Sequence, residues 1–349
     1  MRKRRTSILT ASLLLPLAAA PLFAQTPAPA VSVGAGVQTS FVSTMPDGGT
    51  TTNTFPLNSV RLYVSGTATD NVTYMLNTEY DSNNHVNVLD AAAQFKLSPM
   101  FNLWAGRMLP PSDRANLYGA YYSNEWATFT DGVQGGYPFV AGTGRDNGVL
   151  YWGQFGIAKL SAGAFDGPSA TGNKDIIGAA RVQFDFWDPE GGYYLNGTYY
   201  GDKNLLAVGG AAQVQNSNWA YNGDFLLERK VPGGGAFTIE SEVAKYDKLG
   251  CCNGHYATDT GGYGLVSYLF PPMMGQTGRF EVMGKFAVAK FTKGATAADV
   301  DYTQKTTEAN VNYIIKDFKT RVMLFFKDTR FDAVQTNFKQ IGIGLQVQM

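Results

Sequence analysis

Residues 71–81 read NVTYMLNTEYD. Val72, Tyr74, Leu76, Thr78 and Tyr80 fall on one parity; Thr73, Met75, Asn77, Glu79 and Asp81 fall on the other. A period of two is that of a strand, whose successive side chains point to opposite faces. One face here is mostly apolar and the other mostly polar, so the two meet different solvents. A soluble sandwich would turn the apolar face onto a core. A membrane barrel would turn it into lipid and keep the polar face around water.

The flanking sequence favours the barrel, because the same alternation recurs along the chain. NSVRLYVSGTAT sets Val60, Leu62 and Val64 against Arg61, Tyr63, Ser65 and Thr67. DIIGAARVQFDFWD sets Ile176, Ala180, Val182, Phe184 and Phe186 against Arg181, Gln183 and Asp185. GRFEVMGKFAVAK and FKTRVMLFFKDT repeat the pattern, with Arg279, Glu281 and Lys285, then Lys319, Arg321 and Lys327, on the polar side. Such segments match the roughly ten-residue alternating strands of outer-membrane barrels. Short connections (TDN, SPM, QFG, DPEGG, KDF) interleave with longer ones near 44–55, 109–147, 166–174, 247–259 and 293–301. The expected fold is an all-β transmembrane antiparallel barrel of about sixteen strands, within roughly fourteen to eighteen, although up-down parity fails once between residues 188 and 235. The final stretch FKQIGIGLQVQM carries Ile341, Ile343, Leu345, Val347 and Met349 on one face, and it reads as the closing strand that barrel-insertion machinery would engage.

The first 24 residues have the form of a cleaved secretory signal: Arg2, Lys3, Arg4 and Arg5, an apolar run from Ile8 to Phe23, and a small residue, Ala24. A Pro/Ala-rich segment, 25–30, follows, and the barrel is expected over 31–349. The whole chain has 28 basic and 28 acidic residues; without the four basic residues of the leader the balance is 24 to 28, formally −4. That balance gives no reason to expect nucleic acid as a partner. Lipid of a bacterial outer membrane is the expected surroundings. The adjacent Cys251 and Cys252 cannot staple distant segments. With His255 they make too sparse a set for a zinc site, so neither metal nor cofactor is expected.

If the apolar parity faces lipid, the other parity lines the pore. The expected basic lining is Arg61, Arg107, Arg181, Arg279, Lys285, Lys319, Arg321 and Lys327. The acidic lining is Glu79, Asp185, Asp224, Glu228, Glu240, Glu242, Glu281 and Glu308. An Arg or Lys facing lipid near the midplane costs about 2–4 kcal/mol, which argues for placing these charges inside. Two arrangements are open: opposed charged walls with a transverse field, or neutralising pairs that stiffen the wall. Tyr193, Tyr194, Tyr199 and Tyr200 crowd the ends of one expected strand and read as a membrane-interface girdle. The longest connection, from Pro110 to Asp146, is expected to fold inward as a constriction loop bearing Arg107 at its base and Asp113, Arg114, Glu125, Asp131, Arg145 and Asp146 along it.

The run from RLYVSG through LWAGRMLPPSDRA to LSAGAFDGP resembles the phosphate-selective porin O and P family, in which a strand ends in Gly-Arg, two residues and Pro-Pro before a constriction loop. The matching residues are Gly106, Arg107, Pro110 and Pro111, and Leu109 stands where the family often has lysine. The resemblance implies a sixteen-stranded homotrimer that passes anions such as phosphate beside arginine and lysine side chains.

The functional expectation is therefore a water-filled channel for passive diffusion of small hydrophilic solutes or ions. One alternative is a sheath around a partner such as an electron-transfer conduit, though no CxxCH haem motif is present. The other is an outer-membrane hydrolase. That chemistry usually needs a histidine base, and the two histidines, His85 and His255, both fall in expected loops, so no catalytic residue is assigned.

Overall fold

The computed structural model describes residues 31–349 except 81–84, 127–143, 168–174, 250–255, 274, 276, 295–299 and 334. The leader, residues 25–30, Asp81, Asp131, Cys251, Cys252 and His255 therefore lie outside the described residues.

The first strands are β1 (Val31–Pro46), β2 (Thr52–Thr54), β3 (Leu57–Thr69), β4 (Val72–Tyr80), β5 (Val86–Ser98) and β6 (Phe101–Met108). The middle ones are β7 (Asp146–Phe155), β8 (Ala158–Phe165), β9 (Ile177–Asp185), β10 (Leu205–Gln215), β11 (Asn218–Val231) and β12 (Gly235–Asp247). The last are β13 (Tyr256–Leu269), β14 (Arg279–Gly294), β15 (Tyr302–Lys316), β16 (Thr320–Phe331) and β17 (Phe338–Gln348). Both β2 and β3 pair with β1, and Pro56, which has no N–H to donate, sits in the break between them. They make one stave. Sixteen staves result, each antiparallel to its neighbours, and the last closes on the first with Val37 opposite Val347.

The alternation of the opening stretch has its physical meaning here. Tyr74 and Leu76 are exposed on the outer face while Met75 is buried inside. Val182, Phe184, Leu324 and Ile343 also face outward, and Arg321, Gln346, Glu240 and Glu281 face inward and are buried. Closure leaves no open strand edge to be satisfied in lipid.

The end of the barrel where β1 begins and β17 finishes is called the near end, the other the far end. Tight turns at 70–71, 99–100, 156–157 and 317–319 belong to the near end. One near-end connection breaks the pattern and corrects two expectations. Residues 186–204, between β9 and β10, contain no strand, and DPEGG is not a tight turn. Pro189 and four glycines crowd this segment, with Gly192, Tyr200 and Gly201 all at positive φ, so it cannot hold a strand's extended run. This is the source of the parity failure. The segment turns into the lumen, and Tyr193 and Tyr200 are 3% and 2% exposed there. Tyr193, Tyr194, Tyr199 and Tyr200 are thus interior side chains and not a membrane girdle.

Candidate solute pathway

The long connection after β6 enters from the far end. Its described parts are 109–126 and 144–145, and the first carries a short helix α1 (Arg114–Tyr118) and a 3-10 turn at Ala120–Tyr122. Asp113 starts α1 by accepting a hydrogen bond from the Asn116 N–H at 2.8 Å. Gly119, at φ 65°, ends it and redirects the chain across the lumen. Leu109, Ser112, Asp113, Arg114, Leu117 and Tyr121 are all at most 2% exposed. The inward reading of this loop therefore describes its docked part.

The loop meets the near-end segment in the middle of the barrel. Arg114 forks onto the Glu190 carboxylate, with Nη1 3.0 Å from Oε1, and also donates to the Asn196 carbonyl at 3.0 Å. The Gly197 N–H donates to Tyr122 O at 2.9 Å, and the Tyr193 hydroxyl donates to Leu109 O at 2.9 Å. Wall side chains from β9 round to β17 and β1 complete the docking. Arg181 donates to Ser112 O at 3.1 Å and Lys285 pairs with Glu125 at 2.8 Å. Tyr118 donates to Glu240 at 2.9 Å, and Arg321 donates to Tyr121 O at 3.2 Å. Two wall glycines make room for the loop's rings. A Cβ on Gly344 would lie 2.6 Å from Trp126 ring atoms, and one on Gly36 would lie 2.8 Å from Tyr121.

Much of the charge in this filled region is paired, although neither carboxylate oxygen of buried Glu242, nor the Lys159 Nζ, has a hydrogen-bond partner among the described residues. Arg181 meets Asp224 with Nη2 2.8 Å from Oδ1, and Lys327 meets Glu308 at 3.1 Å. Of the two open arrangements, neutralising pairs describe these residues. Burial opposes the charges of Arg114 and Glu190, but each more than offsets that for the other: the guanidinium is held well above its usual pKa and the carboxyl below its own. Burial pushes Asp113 the other way, up to about 7, helped by the nearby Asp224 charge and opposed by the Asn116 N–H and Arg181.

A cavity of about 490 Å³ remains between the loop and the β3–β5 wall. Arg61, Tyr63, Asn77, Leu89 and Asp90 line it from the wall, and Leu109, Leu117, Tyr118, Tyr122, Tyr194, Leu195 and Tyr199 from the inward segments. A β-bulge in β5 turns both Leu89 and Asp90 inside. Arg145 reaches Asp90 at 3.4 Å, and Arg61 reaches Glu79 at 3.1 Å while its guanidinium lies 4.9 Å above the Tyr121 ring. A second cavity of about 430 Å³ opens at the near end beside Ser32, Ser65, Phe318 and Lys319. The two cavities share Tyr63 and Tyr122 alone among the described residues, so these two side chains stand where the cavities adjoin.

The sequence-based site residues divide accordingly. Arg61 and Arg145 lie on the cavity, with Glu79 bonded behind Arg61. Asp113, Arg114, Glu125, Arg181, Asp185, Glu281, Lys285, Arg321 and Lys327 are buried around the docked loop. Asp146 starts β7, where its carboxylate accepts the Gly167 N–H at 2.7 Å. Arg279 is half-buried at the near rim and donates to Gly234 O, and Lys319 is exposed in the turn before β16, not on a wall strand. Arg107 is corrected. It shares the parity of Phe101, Leu103 and Ala105, which face outward, whereas Asn102, Trp104 and Met108 face inward. Its Nε donates to the carbonyl of outward-facing Val88 at 3.0 Å. The inference that charge must point inward fails at this height, because the lipid penalty falls to about 0–1 kcal/mol near the interface.

Reading the sequence missed Tyr63, Asn77, Asp90, Glu190, Tyr194 and Lys203. Tyr63 and Asn77 were available from parity alone. Glu190 and Lys203 sit in the segment mistaken for a turn and a strand, and its density of glycine and proline was the usable signal.

No protein-family model matches the chain, and no curated protein sequence matches it. Solved structures do resemble it. OprB of Pseudomonas putida superposes with a TM-score of 0.63 at 9% identity, covering 91% of this chain and 94% of that one. An anion-selective porin from Comamonas acidovorans gives 0.60 at 12% identity, covering 92% and 100%. The outer-membrane channel DcaP of Acinetobacter baumannii gives 0.59 at 13% identity, covering 92% and 97%. A closed sixteen-stave antiparallel barrel with an apolar outer belt, superposing on outer-membrane barrels over most of its length, is a bacterial outer-membrane β-barrel. At these identities the likeness is one of fold.

Proposed function

We propose that the protein is a porin: a passive diffusion channel whose solutes travel along the β3–β5 wall. The observation that carries this reading is the pair of adjoining cavities that both touch Tyr63 and Tyr122 and that extend, taken together, from beside Arg145 to the near-end mouth. Among the described residues, the wall from β9 to β16 is buried against the inward segments, so the path lies to one side of the axis. That filling also weighs against a sheath, since an enclosed partner would have to displace Arg114, Glu190 and their buried neighbours. Among the described residues of the path no nucleophile is paired with a base, and His85 is exposed at the far rim, so the barrel is read as a conduit and not a hydrolase.

Arg61, Arg145 and Lys203 line the path against Asp90, with Glu79 behind Arg61, a modest cationic excess that supports a preference for anions. The resemblance to phosphate-selective porins and the anion-selective structural neighbour agree in direction. Assembly as a homotrimer, and insertion through recognition of the strand ending at Met349, complete the reading. Reconstitution in planar bilayers tests it: discrete conductance steps are expected, with a reversal potential across a salt gradient displaced toward the anion. A correctly folded barrel without conductance would overturn it.

A further inference from the structure

The two sides of the main cavity differ in chemistry. The inward segments present mostly apolar groups, Leu109, Leu117, Leu195 and the Tyr194 ring, together with the cation Lys203. Facing them, beside Leu89, are the guanidiniums of Arg61 on β3 and of Arg145 at the end of the long connection, just ahead of β7. A small inorganic anion gains nothing from the leucine side and loses hydration beside it. A neutral polyol makes little use of the guanidiniums. An organic anion with an apolar body uses both sides at once. The volume, about 490 Å³, lies within the roughly 300–1,000 Å³ of small-molecule sites and exceeds what a hydrated inorganic ion fills.

The junction of the two cavities supplies a second, independent observation. The Tyr63 hydroxyl is buried beside the Arg61 side chain and makes no hydrogen bond of normal geometry among the described residues. It lies on the same inward parity as Arg61, two residues along β3, where the main cavity meets the near-end one. A buried hydroxyl without a well-formed hydrogen bond is costly, and a carboxylate held at Arg61 would satisfy it once the ring turned toward the cavity.

We propose that this path is a binding lane for organic monoanions with an apolar body, such as aromatic carboxylates. The body slides on the leucine and tyrosine face of the inward segments. The carboxylate passes from Arg145 to Arg61 and the Tyr63 hydroxyl. The proposal rests on the channel reading and adds the solute class to it.

The test is solute block of single-channel chloride current through the full-length barrel in planar bilayers, with benzoate, acetate, inorganic phosphate and glucose as probes. Benzoate is expected to block at about tenfold lower concentration than acetate or phosphate, with glucose weaker still. Tyr194→Ala should weaken benzoate block severalfold and move acetate block far less, while Tyr63→Phe should weaken both carboxylates together. Equal block by benzoate, acetate and phosphate would overturn the proposal and leave a simple anion channel. Preferential block by glucose would overturn it in favour of a polyol path. If Tyr194→Ala does not insert, the ranking of the four probes on the unaltered protein decides alone. A barrel with no conductance would overturn the channel reading itself, an outcome distinct from the others.

Discussion

The two sides of the lumen are built from similar residues and do different things. Around β9 to β17, buried ion pairs tie the wall and the docked segments together: Arg114 with Glu190, Arg181 with Asp224, Lys285 with Glu125 and Lys327 with Glu308. Glu240 and Glu228 there are held by hydroxyl and backbone donors. Along β3 to β5, Arg61 and Arg145 also have acidic partners, yet they border open volume beside tyrosine and leucine. The difference lies in what faces the wall. In the first region backbone carbonyls of the loop, such as Ser112 O and Tyr121 O, take up the remaining guanidinium donors. In the second the loop offers side-chain rings and aliphatic groups, so the charges stay turned to solvent-filled space. A pore-lining charge therefore acts on solutes only where the loop has not claimed it.

The largest expected effect comes from breaking the clamp between the two inward segments. Arg114→Ala leaves Glu190 buried without its ion-pair partner, a loss of the kind that costs about 3–5 kcal/mol. The loop should undock, and single-channel conductance should rise about twofold or more as the filled side opens. Current recordings together with protease sensitivity of the loop check this.

A related change enters from the wall. Gly344→Val places side-chain atoms where the Trp126 ring lies, so it should produce a smaller rise in conductance and a noisier open state. Unchanged current in that variant would mean that Trp126 does not help hold the loop.

Selectivity separates the two regions more finely. Arg61→Gln should move the reversal potential toward cations, because a charge bordering the path inside the barrel is poorly screened. Lys327→Gln should move it less, since Lys327 is buried against Glu308 and Trp126 O. Arg107→Gln should move it least, as its side chain lies on the outer parity. A larger shift for Arg107 than for Arg61 would relocate the path.

The smallest effect concerns pH. The docked loop favours the protonated form of Asp113, whose pKa is raised to about 7. Its contribution to docking is present in full below the usual carboxylate value near 4 and is lost as pH rises through about 7. Glu190 has the opposite sign: its lowered pKa gives a contribution present above the usual carboxylate range and lost on acidification below it. Conductance should therefore rise slightly between pH 5 and 8, about tens of per cent, and Asp113→Asn should flatten that rise.

The wall was legible because a membrane imposes a strict rule on every strand. NVTYMLNTEYD and FKQIGIGLQVQM show which face meets lipid from parity alone, and strand number followed. The interior was less legible because no such rule acts there. Arg107 was drawn inward by its charge, although its neighbours Leu103 and Ala105 set its parity and the rim tolerates it. The tyrosines of 193–200 look the same in a sequence whether they gird a membrane or fill a lumen, and only the glycines and Pro189 around them argued against a strand. Glu190 pairs with Arg114 across 76 residues, a partnership that no local pattern announces.

The central claim, that solutes pass beside β3–β5 and not beside β9–β17, is tested most directly by thiol accessibility during current recording. In a Cys251→Ser, Cys252→Ser background, Asn77→Cys would place a thiol on the open side and Ser267→Cys one in the filled side. A charged, water-soluble thiol reagent should step down the current through Asn77→Cys channels and leave Ser267→Cys channels unchanged. Block at Ser267→Cys without block at Asn77→Cys would contradict the account.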